Sequence, residues 1–580
     1  MLKLRRIKMR SKWARIVSMT LVGTMLLTGC GGASGDKKED SKDEKKEVSD
    51  NLNKEGLPIL KEKETFTIAV PQKSTLKSAA EKECVKAAEE ATNVHIEWVE
   101  IPASGWKEKI NIMFNTDSLP DAIIGAVDMA KNYEQLAELD DMLKEYAPNT
   151  TAFFETRDDY PTGLYSPDGK IHTLPTGDEA IHNIIDSQLW INQKWLDNLG
   201  LQMPTTVDEF KEVLIAFRDK DPNGNGKADE IPMTGFVGGW STDPTVWLTN
   251  AFIQCNKPLS NTNPTPGAGL VVSEDGKIEY QVMKEEYRDA LAYMNKLYSE
   301  GLLDSQTFTQ DETQFTASLD SEENIVALYA GGGVNVDGKN FWANKPGKWQ
   351  DWTILEPVEG PDGVRLAAKS LTDYFGSCLG VVSASCKNPE IAVALFDFLA
   401  SEEGTLVQSF GPQGLAWDYV DEGTALDGGT AKYANYKIDE DYDWVGNGYK
   451  KAYGDHSYWL SDAMIGSRTV DYRNGQLIEN PELNTEYTFQ AAAQKYEPYS
   501  PKDESIVPNL VFDGQDAQTI SESTITIGGY VDQSMVQFIT GELNIEKDWD
   551  AYIEQLKTMG VDNFLEIYQK YYDEYMEAQK

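Results

Sequence analysis

Histidine, cysteine and cationic side chains are all scarce in this chain. Its 580 residues include 4 His and 5 Cys, and 53 Lys and Arg stand against 95 Asp and Glu, a formal charge of -42. Such a cation deficit excludes a nucleic-acid partner, which needs a basic footprint to meet phosphate. His95, His172, His182 and His456 show no His-Glu-x-x-His spacing, and no two cysteines stand as Cys-x-x-Cys, so zinc chemistry has no foundation here. A Gly-x-Ser-x-Gly elbow and a Walker loop are missing as well. Without internal repeats, a structural adhesin built from stacked modules is also disfavoured. The one apolar run near the N-terminus, Ile16 to Leu27, is too short to span a bilayer comfortably.

What is there begins with a leader and a spacer. Residues 1–29 join Lys3, Arg5, Arg6, Lys8, Arg10, Lys12 and Arg15 to that apolar run, the pattern of a secretory signal. Leu27-Thr28-Gly29-Cys30 is similar to a bacterial lipobox, which implies cleavage before Cys30 and a lipid on the new N-terminus, with the membrane as partner through that anchor. An uncleaved anchor or a plain secretory peptide is the alternative; each places the body outside the cytoplasm. Residues 30–64 are mostly Gly, Ser, Lys, Asp and Glu, and are expected as a disordered tether. Beyond them an aromatic content of 10% implies packed cores.

The body reads as α/β. Thr65 to Pro71 and Val94 to Ile101 are expected strands around a helix from Thr75 to Ala91, a βαβ unit with Cys84 on the helix's apolar face. A helix over Trp106 to Phe114 and a buried strand at Asp121 to Ile124 follow, then an amphipathic helix from Asn132 to Tyr146. Strands are expected after the Asp168-Gly169 turn and over Ile184 to Asn192. Thr205 or Thr206 caps a helix that buries Phe210, Leu214 and Phe217. Further helices are expected at Lys284 to Glu300, at Pro389 to Ser401 behind Asn388, at Lys547 to Met559 and at Asn563 to Glu577. A Cys378–Cys386 disulfide is one option in an oxidising compartment.

The most specific string is Asp-Pro-Asn-Gly-Asn-Gly-Lys-Ala-Asp-Glu-Ile-Pro at 221–232. Asp221, Asn223 and Asn225 place oxygens on alternate residues, and Gly226 stands sixth, where a calcium loop turns sharply. The carbonyl of Lys227 and the carboxylates of Asp229 and Glu230 would complete the set. Pro232 occupies the twelfth position, so this is not an ordinary EF-hand; a solvated Asn-Gly turn without metal is the alternative.

In this order, Leu-Pro-Asp-Ala-Ile-Ile at 119–124, Asp-Gly-Lys-Ile-His-Thr-Leu-Pro at 168–175, Leu-Trp-Ile-Asn-Gln-Lys-Trp-Leu at 189–196 and Lys-Asn-Pro-Glu-Ile-Ala-Val-Ala-Leu-Phe-Asp-Phe-Leu at 387–399 resemble the extracellular solute-binding proteins of carbohydrate ABC importers. The calcium loop is similar to that of the large members that bind oligosaccharides. The resemblance implies a two-lobed periplasmic-binding-protein-like α/β fold with a hinge and a ligand cleft. Residues 65–176 with about 356–405 would form lobe 1, and about 177–355 with 406–580 lobe 2. The crossings would fall near Pro175 to Asn183, around Leu355 to Ser370, and after Gly404. The implied role is capture of an oligosaccharide, without catalysis, by a monomer that docks on permease subunits.

A sugar offers apolar C–H faces and a rim of hydroxyls, so its cleft needs flat aromatics and hydrogen-bonding side chains. Trp240, after Gly238-Gly239, has the setting of a platform or of a packed ring. The resemblance implies that Asp128 and Glu179 meet sugar hydroxyls. Gly125 and Gly331-Gly332-Gly333 stand where relatives carry aromatics, with Tyr374 and Trp417 as candidate replacements. Paired carboxylates at glycosidase spacing arise by chance among so many acids, which leaves a membrane-tethered glycoside hydrolase as the alternative function.

Overall fold

The computed structural model describes residues 49–580 apart from 54–55, 73–77, 156–163, 256–267, 343, 371–374, 415–416, 436–465, 511 and 579–580. The leader, Cys30, residues 31–48 of the expected tether and Tyr374 lie outside the described residues, as does the side chain of Cys378. The later part of the expected tether is folded instead: Leu52 bridges Leu60, because Leu52, Ile59 and Leu60 bury their side chains in one core with Phe66 and Ile68.

The chain opens with the expected βαβ unit. Strand β1 (Glu64–Gln72), helix α1 (Glu83–Thr92) and strand β2 (Val94–Pro102) place β1 and β2 in parallel, with Phe66 opposite Ile96 and Ile68 opposite Trp98. Helix α2 (Trp106–Asn115) returns to β3 (Ala122–Gly125), parallel to β1. There follow β4 (Thr173–Asp178), α3 (Ile181–Ile184), β5 (Leu189–Asn192), α4 (Val207–Asp219), α5 (Glu285–Ser299), β6 (Leu328–Ala330), β7 (Trp352–Leu355) and β8 (Phe375–Val382). The remainder comprises α6 (Pro389–Ala400), α7 (Glu402–Phe410), β9 (Ser467–Arg468), α8 (Val470–Asn474), α9 (Thr485–Tyr496), α10 (Gly514–Thr540), α11 (Ile545–Thr558) and α12 (Val561–Ala578).

Two sheets organise two cores. The larger runs β9-β4-β8-β3-β1-β2, with β8 antiparallel to its neighbours and β9 parallel to β4. Its core joins Phe66, Ile68 and Leu174 to Phe396 of α6. A smaller antiparallel sheet, β6-β5-β7, has its own core of Trp190, Leu214, Leu291, Leu328, Phe538 and Tyr568. Among the described residues the chain passes between the cores three times, between Leu174 and Ile184, between Ala367 and Val382, and between Tyr472 and Phe489. The last passage is later than expected after Gly404. Leu406, Val407, Trp417, Tyr433 and Tyr472 all pack in the first core, although the expected boundary at 405 assigns them to the other lobe.

Local signals produce the local elements. Thr206 caps α4 by accepting from the Glu209 N–H at 3.2 Å, while Glu209 accepts from the Thr205 N–H and hydroxyl at 2.8 and 2.7 Å. Phe210, Leu214 and Phe217 are buried as their spacing predicts. Three differences have non-local causes. The expected helix from Asn132 to Tyr146 is broken: Leu136 is extended and bridges Ser383 beyond β8, with the Ala137 N–H donating to the Val382 carbonyl, and the helix resumes at Asp140. The expected strand from Ile184 shortens to Leu189–Asn192, the residues that Leu328–Ala330 and Trp352–Leu355 pair with, while Ile184 ends α3. Sequence periodicity assigned no helix to 514–540, where Thr, Ser and Gly528-Gly529 disfavour one. Packing of Ile527, Val531, Met535 and Phe538 into the second core supplies the stability, and Thr519, Thr524, Thr526 and Thr540 return their hydroxyls to carbonyls four residues back.

Candidate functional site

Strand β4 ends where a set of buried charges begins. Asp178 closes the strand and accepts from the Ala180 N–H at 3.1 Å, turning the chain into α3. Pairing of β9 with β4 brings Arg468 to Asp178 at 2.6 Å, and Thr469 caps α8, which carries Arg473. Arg473 donates from Nε and Nη2 to Asp178 Oδ1 at 3.1 and 2.6 Å and from Nη1 to Glu486 Oε1 at 2.7 Å. Glu486 lies in the first turn of α9, where the helix dipole favours a carboxylate. Burial alone would raise the Asp178 carboxyl, but the two guanidiniums outweigh it and hold it at about 2. Glu486 is lowered for the same reason, burial being outweighed chiefly by Arg473.

Beside this cluster is a cavity of about 190 Å³, whose lining includes Glu179, His182, Arg473, Asn474, Glu486, Gln490, Gln494 and Glu497. Glu486, Gln490, Gln494 and Glu497 recur at helical spacing, so α9 and the turn after it present one polar face to the cavity. Glu179 is in the lining, and its Oε2 accepts from the Val470 N–H at 2.8 Å. His182 is buried, and burial holds its imidazole down at about 4.

Trp240 stands next to His182, with ring centroids 6.0 Å apart, and edge-on to Phe489 at 5.9 Å. It is 43% exposed, and Trp342, 42% exposed, packs on the same Phe489 at 5.6 Å. Two open indole faces thus share one buried ring. The glycines at 331–333 make this possible: a Cβ on Gly332 would fall 2.4 Å from the Trp240 ring, and one on Gly333 2.6 Å from Phe489. Gly125 has a comparable reason, since Trp106 fills the space where its side chain would be.

Other expected residues fall elsewhere. Trp417 is 1% exposed in the first core and donates its Nε1–H to the Gly411 carbonyl at 2.7 Å, so it is a packing residue and not a ligand platform. Asp128 is outside the cavity lining and pairs with Lys131 at 3.3 Å. Periodicity alone would have read the polar face of α9 as solvated, and nothing local marks Arg473 as the partner of Asp178. Trp342 was likewise missed.

The loop after α4 is wound around its own oxygens. Asp221 accepts from the Asn225 and Gly226 N–H groups at 3.0 Å each, and Asn225 Oδ1 accepts from the Lys227 N–H at 2.7 Å. Asp221, Gly224 and Gly226 all have φ between +46° and +75°. Asn225 donates to Asp229, and Lys227 donates to Glu323 at 2.6 Å. Glu230 Oε1 is buried with no hydrogen-bond partner, and burial, then the charges of Asp229 and Asp221, raise its carboxyl. Among the described residues no group of three or more His, Cys, Asp and Glu is arranged to hold a metal ion; the donor set of this loop is mixed, with carboxamides and a carbonyl beside its carboxylates. After the loop, Ile231 and Thr234 pair alongside Val326 and Tyr329, on the strand that ends at the glycines under Trp240.

Two α/β lobes, each with its own core and sheet, and a cavity at their crossings are the architecture of a solute-binding protein. The chain belongs to the bacterial extracellular solute-binding protein family, which it matches over residues 70–406. It is 26% identical over 516 residues to the fructooligosaccharide ABC transporter substrate-binding protein FusA of Streptococcus pneumoniae serotype 4, covering 86% of this chain and 88% of that one. Lipoprotein LipO of Bacillus subtilis strain 168 is 25% identical over 427 residues, covering 72% and 75%. Solved structures of FusA with kestose, and of its EF-hand mutant with fructo-nystose, superpose with a TM-score of 0.72 at 23% identity, over 89% of this chain and 100% of theirs. That of the alginate-binding protein AlgQ2 without calcium ion gives 0.65 at 21%, over 88% and 98%.

Proposed function

We propose that this protein captures an oligosaccharide outside the cell and delivers it to the permease subunits of an ABC importer, held to the membrane by a lipid on Cys30. The observation that carries the reading is the pair of exposed indoles, Trp240 and Trp342, next to a cavity lined with carboxylates and carboxamides. Flat apolar faces match the C–H faces of a pyranose or furanose ring, and Glu179, Gln490 and Gln494 match its hydroxyls. The descriptions of FusA and LipO support the transport role and the anchor. One lobe takes the described residues of 49–178 and 375–478, the other those of 184–367 and 484–578; closure about the crossings encloses the sugar.

The test is a panel of oligosaccharides scored by thermal shift and calorimetry. Saturable binding that raises the melting temperature and leaves the sugar intact is expected. Shorter sugars appearing over hours would turn the assignment to a tethered hydrolase, and a panel without response would end both readings. Trp240→Ala is expected to weaken the bound sugar by about 2 kcal/mol, close to thirtyfold, without changing the melting temperature of the free protein by more than a degree or two.

Calcium is the second part of the proposal. Asp221, Asn223, Asn225, the Lys227 carbonyl, Asp229 and Glu230 fit a hard cation, and the orphaned Glu230 oxygen is an observation that favours one. Bound there, calcium fixes the segment leading to Trp240 and takes no part in sugar contacts. Calcium at a hundredfold its dissociation constant should add about 2.7 kcal/mol of stability, and chelator should remove it, while Glu230→Gln blunts the response. Identical melting curves with chelator and with calcium would sink the metal site.

A further inference from the structure

The charges around the cavity select among glycans. Glu179, Glu486 and Glu497 line it, and Arg473 is the one Lys or Arg among its described lining residues. That guanidinium is already engaged: two of its nitrogens serve Asp178 and the third serves Glu486, with the side chain only 11% exposed. Arg468 is likewise turned to Asp178, at 2.6 Å. Among the described residues, the four carboxylates of Asp178, Glu179, Glu486 and Glu497 thus stand with two guanidiniums, both held in ion pairs. His182 adds no cation at neutral pH, being buried between Trp240 and Phe489. On a longer scale the whole chain carries -42, so a polyanion approaches against the protein's field.

Resting on the carbohydrate reading above, we propose that this site takes uncharged oligosaccharides and rejects those that carry uronate, sialate or sulfate groups. A neutral sugar donates its O–H groups to Glu179, Glu497 and the carbonyl oxygens of Gln490 and Gln494. An acidic sugar brings only acceptors at its carboxylate, sets them against glutamates, and finds no unpaired guanidinium in the described lining to meet it. Such like-charge opposition is a specificity device in its own right, and corresponds to about a hundredfold or more in affinity.

The experiment titrates the calcium-loaded protein with matched pairs of equal length: galacto-oligosaccharide against oligogalacturonate, manno-oligosaccharide against oligomannuronate, and neutral against sialylated milk-type glycans. In at least one pair the neutral member should bind, with its acidic partner a hundredfold weaker or silent. Raising salt should narrow the gap, as should Glu497→Gln, which removes a charge at the exposed rim. An acidic member that binds as tightly as its neutral partner would overturn this proposal and leave carbohydrate capture standing. Silence from both members of every pair, and from the wider panel, would instead overturn the carbohydrate reading and this proposal with it.

Discussion

Arg473→Met is expected to destabilise the protein by about 3–5 kcal/mol, the cost of leaving Glu486 buried without its counter-charge and Asp178 with Arg468 alone. Asp178 and Glu486 come from different parts of the chain, and Arg473 is the group that joins them, at 2.6 and 2.7 Å. Arg473→Lys should recover little, because one ammonium lacks the fork that serves both acids. Adding Glu486→Gln to Arg473→Met should recover part of the loss, since Asp178 keeps Arg468 at 2.6 Å and no buried carboxylate is then left without a cation. Chemical denaturation measures each step; a loss below about 1 kcal/mol for Arg473→Met would show that water reaches the carboxylates. The sign of the acid response follows from the same pairs. Asp178 is depressed to about 2, so its contribution is complete above the ordinary carboxylate range and is lost only as pH falls towards 2.

His182 titrates in a milder range and with a different origin. Burial is the main cause of its depression to about 4; Glu486 and Asp178 oppose the shift, while Arg473 and Arg468 reinforce it. Its distance of 4.0 Å to Glu486 is too long for a hydrogen bond. The unfolded chain takes up the proton near pH 6.5 and the folded chain only near 4, so stability is full above 6.5 and falls as pH drops through this window. The expected loss from this residue is at most about 3 kcal/mol. His182→Gln should flatten that part of the stability profile while the steeper decline at lower pH persists. Parallel profiles for the two proteins between pH 6.5 and 4 would contradict the assignment. Because Trp240 rests against His182, sugar affinity should weaken over the same interval.

Much of the first lobe was legible from local pattern. β1, α1 and β2 follow from alternation and helical spacing, and α4 from an N-cap threonine before an apolar stripe. Legibility failed where a partner far along the chain decides the outcome. Leu136 leaves a helical pattern because Ser383 offers it a bridge, and α10 forms from a Thr- and Gly-rich stretch because a core is waiting for one face. The candidate site divides in the same way. Glu179 was found from its place in a resemblance, and Trp240 from its glycine-relaxed setting. Trp417 looked equivalent to Trp240, yet one is in the core and the other is open.

By itself the sequence determined what short-range chemistry controls: a basic-then-apolar pattern over residues 1–29, oxygens on alternate residues of a turn, and a charge balance without the basic footprint that nucleic acid needs. Only the tertiary structure decided which tryptophans stay open, that Gly332 and Gly333 leave room for Trp240 and Phe489, and that Arg473 closes on Asp178 from 295 residues away. Burial and ion pairing depend on what arrives from the rest of the chain. A local pattern constrains a residue's conformation, whereas its neighbours in space set its dielectric surroundings, its charge state and its access to a ligand.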